Sequence, residues 1–133
     1  MFMKNIEVCA AIIIKDKKIF ITQRGYGEFK DLWEFPGGKI EPNESLEACL
    51  KREIKEELEA EIEIVQFLNT IEYTYPTFHL KMYNYICKLQ NEHIKLLEHE
   101  AAKFISLEEL DKVEFLPADI LILDDLKKFL SKI

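Results

Sequence analysis

An α/β sandwich, a mixed β-sheet with helices on both faces, is the fold class this sequence predicts, and three observations point to it. Apolar, β-branched runs with strand character recur along the chain. Stretches of strong helix formers with an apolar stripe, at 45–58 and 117–130, intermix with those runs. Short turn segments join several of the runs, so the sheet is expected to be mostly hairpin-connected.

The elements follow in order. Residues 6–14 (IEVCAAIII) are apolar and rich in branched residues; a charged turn at Lys15–Lys18 and a second run, Ile19–Gln23, complete a hairpin. Gly25 and Gly27 mark a loop, and Trp33–Phe35 leads into Pro36-Gly37-Gly38, expected as a sharp turn. Residues 45–58 (SLEACLKREIKEEL) read as a helix with Ser45 as its N-cap. Two long strands, roughly 62–74 and 78–89, flank Tyr75-Pro76-Thr77, with Tyr73, Phe78, Tyr83 and Tyr85 among their aromatics. Residues 102–105 suggest a short strand and Ser106–Leu110 a short capped helix. Pro117 then opens a final amphipathic helix through Leu130, with Leu121, Leu126, Phe129 and Leu130 as its expected core positions.

At 133 residues the chain is expected to form one domain, 1–133, with a core that needs no disulfide or structural metal. Its longest apolar run, Val8–Ile14, is stopped by Lys15 and Asp16, too short for a membrane span. The three cysteines (Cys9, Cys49, Cys87) form no CxxC pair and read as buried thiols of a reducing compartment. With no signal-peptide pattern at the N-terminus, a cytoplasmic setting is expected. A net charge of −7 argues against binding a nucleic-acid polymer, which relies on Lys and Arg to neutralise phosphates. A small polyphosphate is another matter, because clustered carboxylates can carry it in on a divalent ion. Only two arginines, Arg24 and Arg52, stand against sixteen lysines, so each is a candidate for work that needs the guanidinium fork.

The most informative stretch is 38–60, GKIEPNESLEACLKREIKEELEA. On a helical wheel Leu46, Leu50 and Ile54 form an apolar stripe; Glu53 and Glu57 lie along one edge with Glu56 just beyond. Like charges so placed repel, and a hard cation with oxygen ligands would relieve them. Arg52 can hold a neighbouring carboxylate bidentately, and Glu44 sits at the helix N-terminus, where negative charge is favoured. Gly37 and Gly38 permit close backbone approach and offer carbonyl oxygens. An E-x-x-E-E run by itself is more often a solvated helix face.

The whole pattern is far more specific. It resembles the Nudix box, G-x5-E-x7-R-E-U-x-E-E-x-G-U with U aliphatic, at every charged position. One position departs: Glu59 stands where that box has its late glycine, which closes the helix in a left-handed conformation. A glutamate adopts that conformation at a cost of about 1 kcal/mol, so the helix is expected to end differently or run slightly longer. Trp33-Glu-Phe-Pro-Gly-Gly-Lys39, the segment LLEHEAAKFISL at 96–107 with Phe104 for the usual Trp, and Leu116-Pro-Ala-Asp-Ile120 are similar to MutT-type members of that family.

The resemblance implies a Nudix-type α/β/α sandwich and hydrolysis of (deoxy)nucleoside triphosphates, including 8-oxo-dGTP or cytidine nucleotides, to monophosphate and pyrophosphate. It implies Mg²⁺, with Mn²⁺ as a substitute, held by Glu53, Glu56 and Glu57 with a carbonyl of Gly37 or Gly38. Glu98 would be a further ligand or the base, with Glu100 and His99 as alternatives to it. Arg52 would orient Glu53, Glu44 would support Arg52 or a metal-bound water, and Lys39 would meet the phosphates. Asp119 would hydrogen-bond the base, flanked by Phe35 and Phe78, with Arg24 a further substrate-binding residue. The partner is then a small nucleotide, with neither polymer nor membrane, and the protein a monomer or homodimer. His79, His93 and His99 lack metal spacing and are expected to be surface or packing residues. Two other readings are open: hydrolysis of ADP-ribose or a dinucleoside polyphosphate, and a nucleotide-binding module without catalysis.

Overall fold

The computed structural model describes residues 3–133. Its strands are β1 (Lys4–Lys15), β2 (Lys18–Gln23), β3 (Trp33–Glu34), β4 (Gly37–Lys39), β5 (Ile62–Thr74), β6 (Phe78–Leu89) and β7 (Ala101–Ile105). The helices are α1 (Leu46–Leu58), α2 (Pro117–Ile120) and α3 (Leu123–Leu130), with a 3₁₀ segment at Leu107–Lys112. The sheet runs β3-β2-β1-β6-β5, with β4 on β1 and β7 on β2. It is mixed, because β1 and β6 run parallel while its other pairings are antiparallel.

β1 is apolar on both sides because both of its faces are covered. Cys9, Ala11 and Ile13 face Leu50, Ile54 and Leu58 of α1, while Ala10 and Ile12 face Ile122, Leu126 and Leu130 of the C-terminal helices. Each fully buried Leu or Ile of α1 contributes about 1.5–3 kcal/mol of apolar burial. Helices therefore lie on both sides of the sheet, as the strand and helix patterns predict.

The hairpin turn between β1 and β2 holds Asp16 and Lys17 at φ 52° and 63°, the left-handed pair that a type I′ turn requires. The edge of β1 is shared: β2 pairs with it at Ile14–Lys15 and β4 at Val8–Ala10. Pro36 bridges the gap by accepting the Ala11 N–H at 2.8 Å. Gly37 and Gly38 thus lie in an extended strand rather than the sharp turn expected of Pro-Gly-Gly. A Cβ on Gly37 would stand 1.9 Å from the Cys9 carbonyl oxygen, so the glycine serves close strand approach, not a positive φ.

Two further expectations are corrected. α1 ends after Leu58, and Glu59 takes the left-handed cap itself at φ 52°, ψ 33°, its N–H donating to the Lys55 carbonyl. The helix closes in the manner of a glycine cap, and the Glu59 carboxylate meets His93 at 2.8 Å. The C-terminal helix is interrupted at Leu121–Ile122, where N–H groups reach back only three residues, to Ala118 and Asp119. That tightening leaves Leu121 47% exposed instead of in the core. The capped segment after Ser106 is 3₁₀, with the capping box Ser106–Glu109 in place.

Candidate active site

Ser45 caps α1 by accepting the Ala48 N–H at 3.1 Å, and this fixes the helix that carries the carboxylates. Arg52, on the second turn of α1, is the hub of the cluster. Its Nε and Nη2 donate to the two oxygens of Glu44 at 2.6 and 2.8 Å, a bidentate pair. Nη1 reaches Glu53 at 2.8 Å and Glu56 at 3.2 Å, while Nη2 also donates to the Lys39 carbonyl at 3.1 Å. One guanidinium therefore ties the loop before α1, β4 and the helix together. The Arg52 contact holds the Glu44 carboxyl down to about 2.

Glu57 is buried, with Oε2 accepting the Gly37 N–H at 3.1 Å. Burial pushes its carboxyl up to about 9, and the neighbouring Glu53, Glu34 and Glu98 push in the same direction. Burial also raises Glu53, although Arg52 opposes it. Gly38 leaves room for this carboxylate: a Cβ there would sit 2.2 Å from a Glu53 carboxylate oxygen and displace that side chain. Among the described residues no three Asp, Glu, His or Cys side chains are yet gathered tightly enough to enclose an ion. The hard oxygens of the carboxylates, and the mutual repulsion focused on Glu57, suit a divalent ion such as Mg²⁺.

Glu98, placed by the loop between β6 and β7, lines a pocket of about 140 Å³ together with Glu57, Gly37, Arg24, Glu34, Tyr26 and His99. Glu100 is not among its walls; it forms an ion pair with Lys30 at 3.7 Å. His99, named as an alternative to Glu98 and otherwise expected at the surface or in packing, lines this pocket too, with a buried Nδ1 that has no partner among the described residues. Burial lowers its pKa, which favours the neutral ring. His79 and His93 pair with Glu72 and Glu59.

A second cavity, of about 330 Å³, opens beside the first and shares Arg24, Glu34 and Gly37 with it. Its walls are largely apolar, from Ile6, Val8, Leu80 and Met82, with Phe35 and Phe78 also lining it. Phe35 stacks on Phe115 and Phe78 on Tyr75, at ring centroid distances of 5.2 and 4.9 Å. Asp119 sits in this cavity's wall at the first turn of α2, buried, its Oδ2 accepting the Phe35 N–H at 2.9 Å. Burial, then the nearby Glu34, pushes the Asp119 carboxyl up to about 8. Lys39 lines the same cavity from β4.

Arg24 donates to both oxygens of Glu34 at 2.7 and 3.1 Å, at the junction of the two cavities. Sequence reasoning quoted Glu34 but gave it no role. Its signal was the partnership with one of only two arginines, which no spacing rule reveals because Glu34 sits on β3 and Arg24 in the loop after β2. The three thiols are free and buried, as expected, and Cys9 and Cys49 touch at 2.8 Å beneath Gly38.

Comparison with known proteins identifies the family. The NUDIX domain model matches residues 3–126. The chain is 36% identical over 129 residues to an 8-oxo-dGTP diphosphatase of Buchnera aphidicola subsp. Schizaphis graminum, covering 96% of this chain and 98% of that protein. It is 37% identical over 127 residues to the CTP pyrophosphohydrolase of Escherichia coli (strain K12), covering 92% and 91%. The solution structure of the E. coli ORF135 protein superposes with a TM-score of 0.84 at 32% identity, covering 98% of this chain and 94% of that one. With the family model spanning nearly the whole chain and relatives matched almost end to end, this protein belongs to the Nudix family.

Proposed function

We propose that the protein hydrolyses (deoxy)nucleoside triphosphates, oxidised guanine or cytidine nucleotides among them, to a nucleoside monophosphate and pyrophosphate. The observation that carries this reading is the junction of the two cavities. A largely apolar chamber with one buried carboxyl, of a size for a base and sugar, meets a carboxylate-lined pocket across Arg24, Glu34 and Gly37. A nucleotide laid across it would put its base near Asp119 and its phosphates near Glu57 and Glu98, with Glu53 beside Gly38 and Lys39 in the wall of the base cavity. The activities carried in the names of the two similar enzymes, on 8-oxo-dGTP and CTP, support the same reading.

Mg²⁺, or Mn²⁺ in its place, would be held by Glu53, Glu56 and Glu57, with Glu98 and a carbonyl of Gly37 or Gly38. When bound it supplies neutralisation of the polyphosphate charge and a more acidic attacking water. The rest falls to the chain. Glu98 or Glu53 takes the proton as water attacks the β-phosphorus in line. The bond from that phosphorus to the α–β bridging oxygen breaks, and its electron pair stays on the monophosphate. Arg52 positions Glu53 and Glu56, and Arg24, at the junction of the cavities, and Lys39 are the cations available to the phosphates. Asp119 reads the base between Phe35 and Phe78.

The test is a panel with Mg²⁺ and an EDTA control: the common NTPs and dNTPs, 8-oxo-dGTP, 5-methyl-dCTP, ADP-ribose and a dinucleoside tetraphosphate. Metal-dependent release of pyrophosphate with monophosphate is the expected result. Cleavage of ADP-ribose or the dinucleotide alone would replace the substrate class, and silence across the panel would favour a binding module.

A further inference from the structure

Tyr75 follows β5 at the turn into β6, and it is only 4% exposed. Its ring is held on three sides, stacked on Phe78 at 4.9 Å and tilted against Tyr73 at 4.7 Å and Phe29 at 5.2 Å. A phenylalanine would satisfy all of that packing, so the hydroxyl requires its own account. Part of it is local: the Tyr75 oxygen accepts the Ala118 N–H at 3.1 Å, in the first turn of α2 and one residue before Asp119. A phenolic hydroxyl also has one proton to give, and this one has no acceptor among the described residues. A buried donor left without an acceptor is costly. Tyr75 and Asp119 line the same cavity, and both are anchored at the first turn of α2, Tyr75 through Ala118. Asp119 Oδ2 is occupied by the Phe35 N–H, and among the described residues no side chain donates to Oδ1.

We propose that the Tyr75 hydroxyl is a second base-reading group, donating its proton to an acceptor on the nucleobase edge while Asp119 takes the adjacent N–H or amine. The pair reads a donor next to an acceptor: the N4 amine and N3 of cytosine, or the N1–H and O6 of an 8-oxoguanine. The inference rests on the nucleotide reading of this cavity and deepens it, adding a specificity-determining residue to the one carboxyl. A site with both polarities rejects bases that present the wrong order, because each mismatch leaves a buried polar group unpaired.

The experiment measures binding of the monophosphate products by calorimetry, so that neither metal nor turnover is needed. The probes are CMP and 3-deaza-CMP, in which the N3 acceptor is a C–H, and 8-oxo-dGMP and its 6-thio analogue, in which sulfur, a much weaker acceptor, replaces O6 while the N1–H is kept. For whichever parent binds more tightly, the wild-type protein is expected to lose about 3- to 10-fold in affinity toward the analogue. Tyr75→Phe should bind the parent that much more weakly and treat parent and analogue alike. A Tyr75→Phe protein that still discriminates would confine the hydroxyl to holding α2, and so overturn the proposal. So would a wild-type protein that binds parent and analogue equally, or that binds neither parent at millimolar concentration. Where the variant folds poorly, the wild-type comparison still overturns the proposal if parent and analogue bind alike. Hydrolysis of the corresponding triphosphates is assayed in parallel: discrimination without turnover would sink the catalytic reading and leave Tyr75 as a base reader.

Discussion

Glu57 concentrates the electrostatic tension of the molecule: it is buried, faces three other carboxylates, and has one backbone N–H for compensation. Replacing it by Gln keeps the shape and removes the charge. Glu57→Gln and Glu53→Gln are each expected to cut kcat by more than about 100-fold, while the Glu57 variant melts no lower than wild type in EDTA. Near-normal rates in both variants would remove the carboxylate helix from the mechanism. Asp119 and Glu57 also set a pH dependence. Both carboxyls are raised in the folded protein, to about 8 and about 9, so between pH 5 and 8 the folded state binds more protons than the unfolded one. Stability contributed by these groups is full below their unfolded values and is lost as pH rises through the folded ones. His99 opposes this weakly, since its lowered pKa favours folding as pH rises through the unfolded value. Urea denaturation in EDTA is therefore expected to show a less stable protein at pH 8.5 than at pH 5.5, with Mg²⁺ flattening the slope. A stability that climbs with pH under EDTA would contradict the burial of these two carboxyls.

α1 was readable at the element scale because three local signals agree: the Ser45 cap, a run of helix formers, and an apolar stripe on one face. Ser45→Ala is expected to cost about 1 kcal/mol in chemical denaturation by releasing the Ala48 N–H. At the other end Glu59 pays a left-handed penalty that glycine would not, so Glu59→Gly should raise the melting temperature by a few degrees with turnover unchanged. No gain in melting temperature would mean that the His93 contact offsets the backbone cost. The C-terminal pattern was less legible. The spacing of 117–130 fits one helix, but the 3₁₀ tightening at Leu121–Ile122 splits it in two. Side-chain periodicity is nearly blind to such a change, because 3.0 and 3.6 residues per turn diverge little over one turn.

Over the whole molecule, catalysis and architecture meet at Arg52, whose guanidinium joins the loop at Glu44, β4 through the Lys39 carbonyl, and α1 through Glu53 and Glu56. Lysine keeps the charge but loses the fork. Arg52→Lys is expected to raise the metal concentration for half-maximal rate, or lower kcat, by about 10–100-fold. The check is a Mg²⁺ titration of activity, and an unchanged titration curve would reduce Arg52 to a surface ion pair. The split edge of β1, shared between β2 and β4, acts at the same scale: it brings Gly37 against Glu57 and Phe35 against Asp119, and so sets one cavity beside the other.

The sequence by itself determined the class of fold, nearly every element, and the carboxylates of α1, because period, caps and spacing are local properties written in consecutive residues. It also carried the family likeness, through a box whose spacing is rigid because one helix and one loop must present their charges together. Only the tertiary structure decided what long-range packing decides. Glu34 faces Arg24, His99 turns into the carboxylate pocket, and Tyr75 reaches Ala118 across 43 positions of sequence. It also showed Gly37 extended against β1 rather than turning. Those pairings join different strands and loops, and burial and charge act through space, where no period in the chain records them.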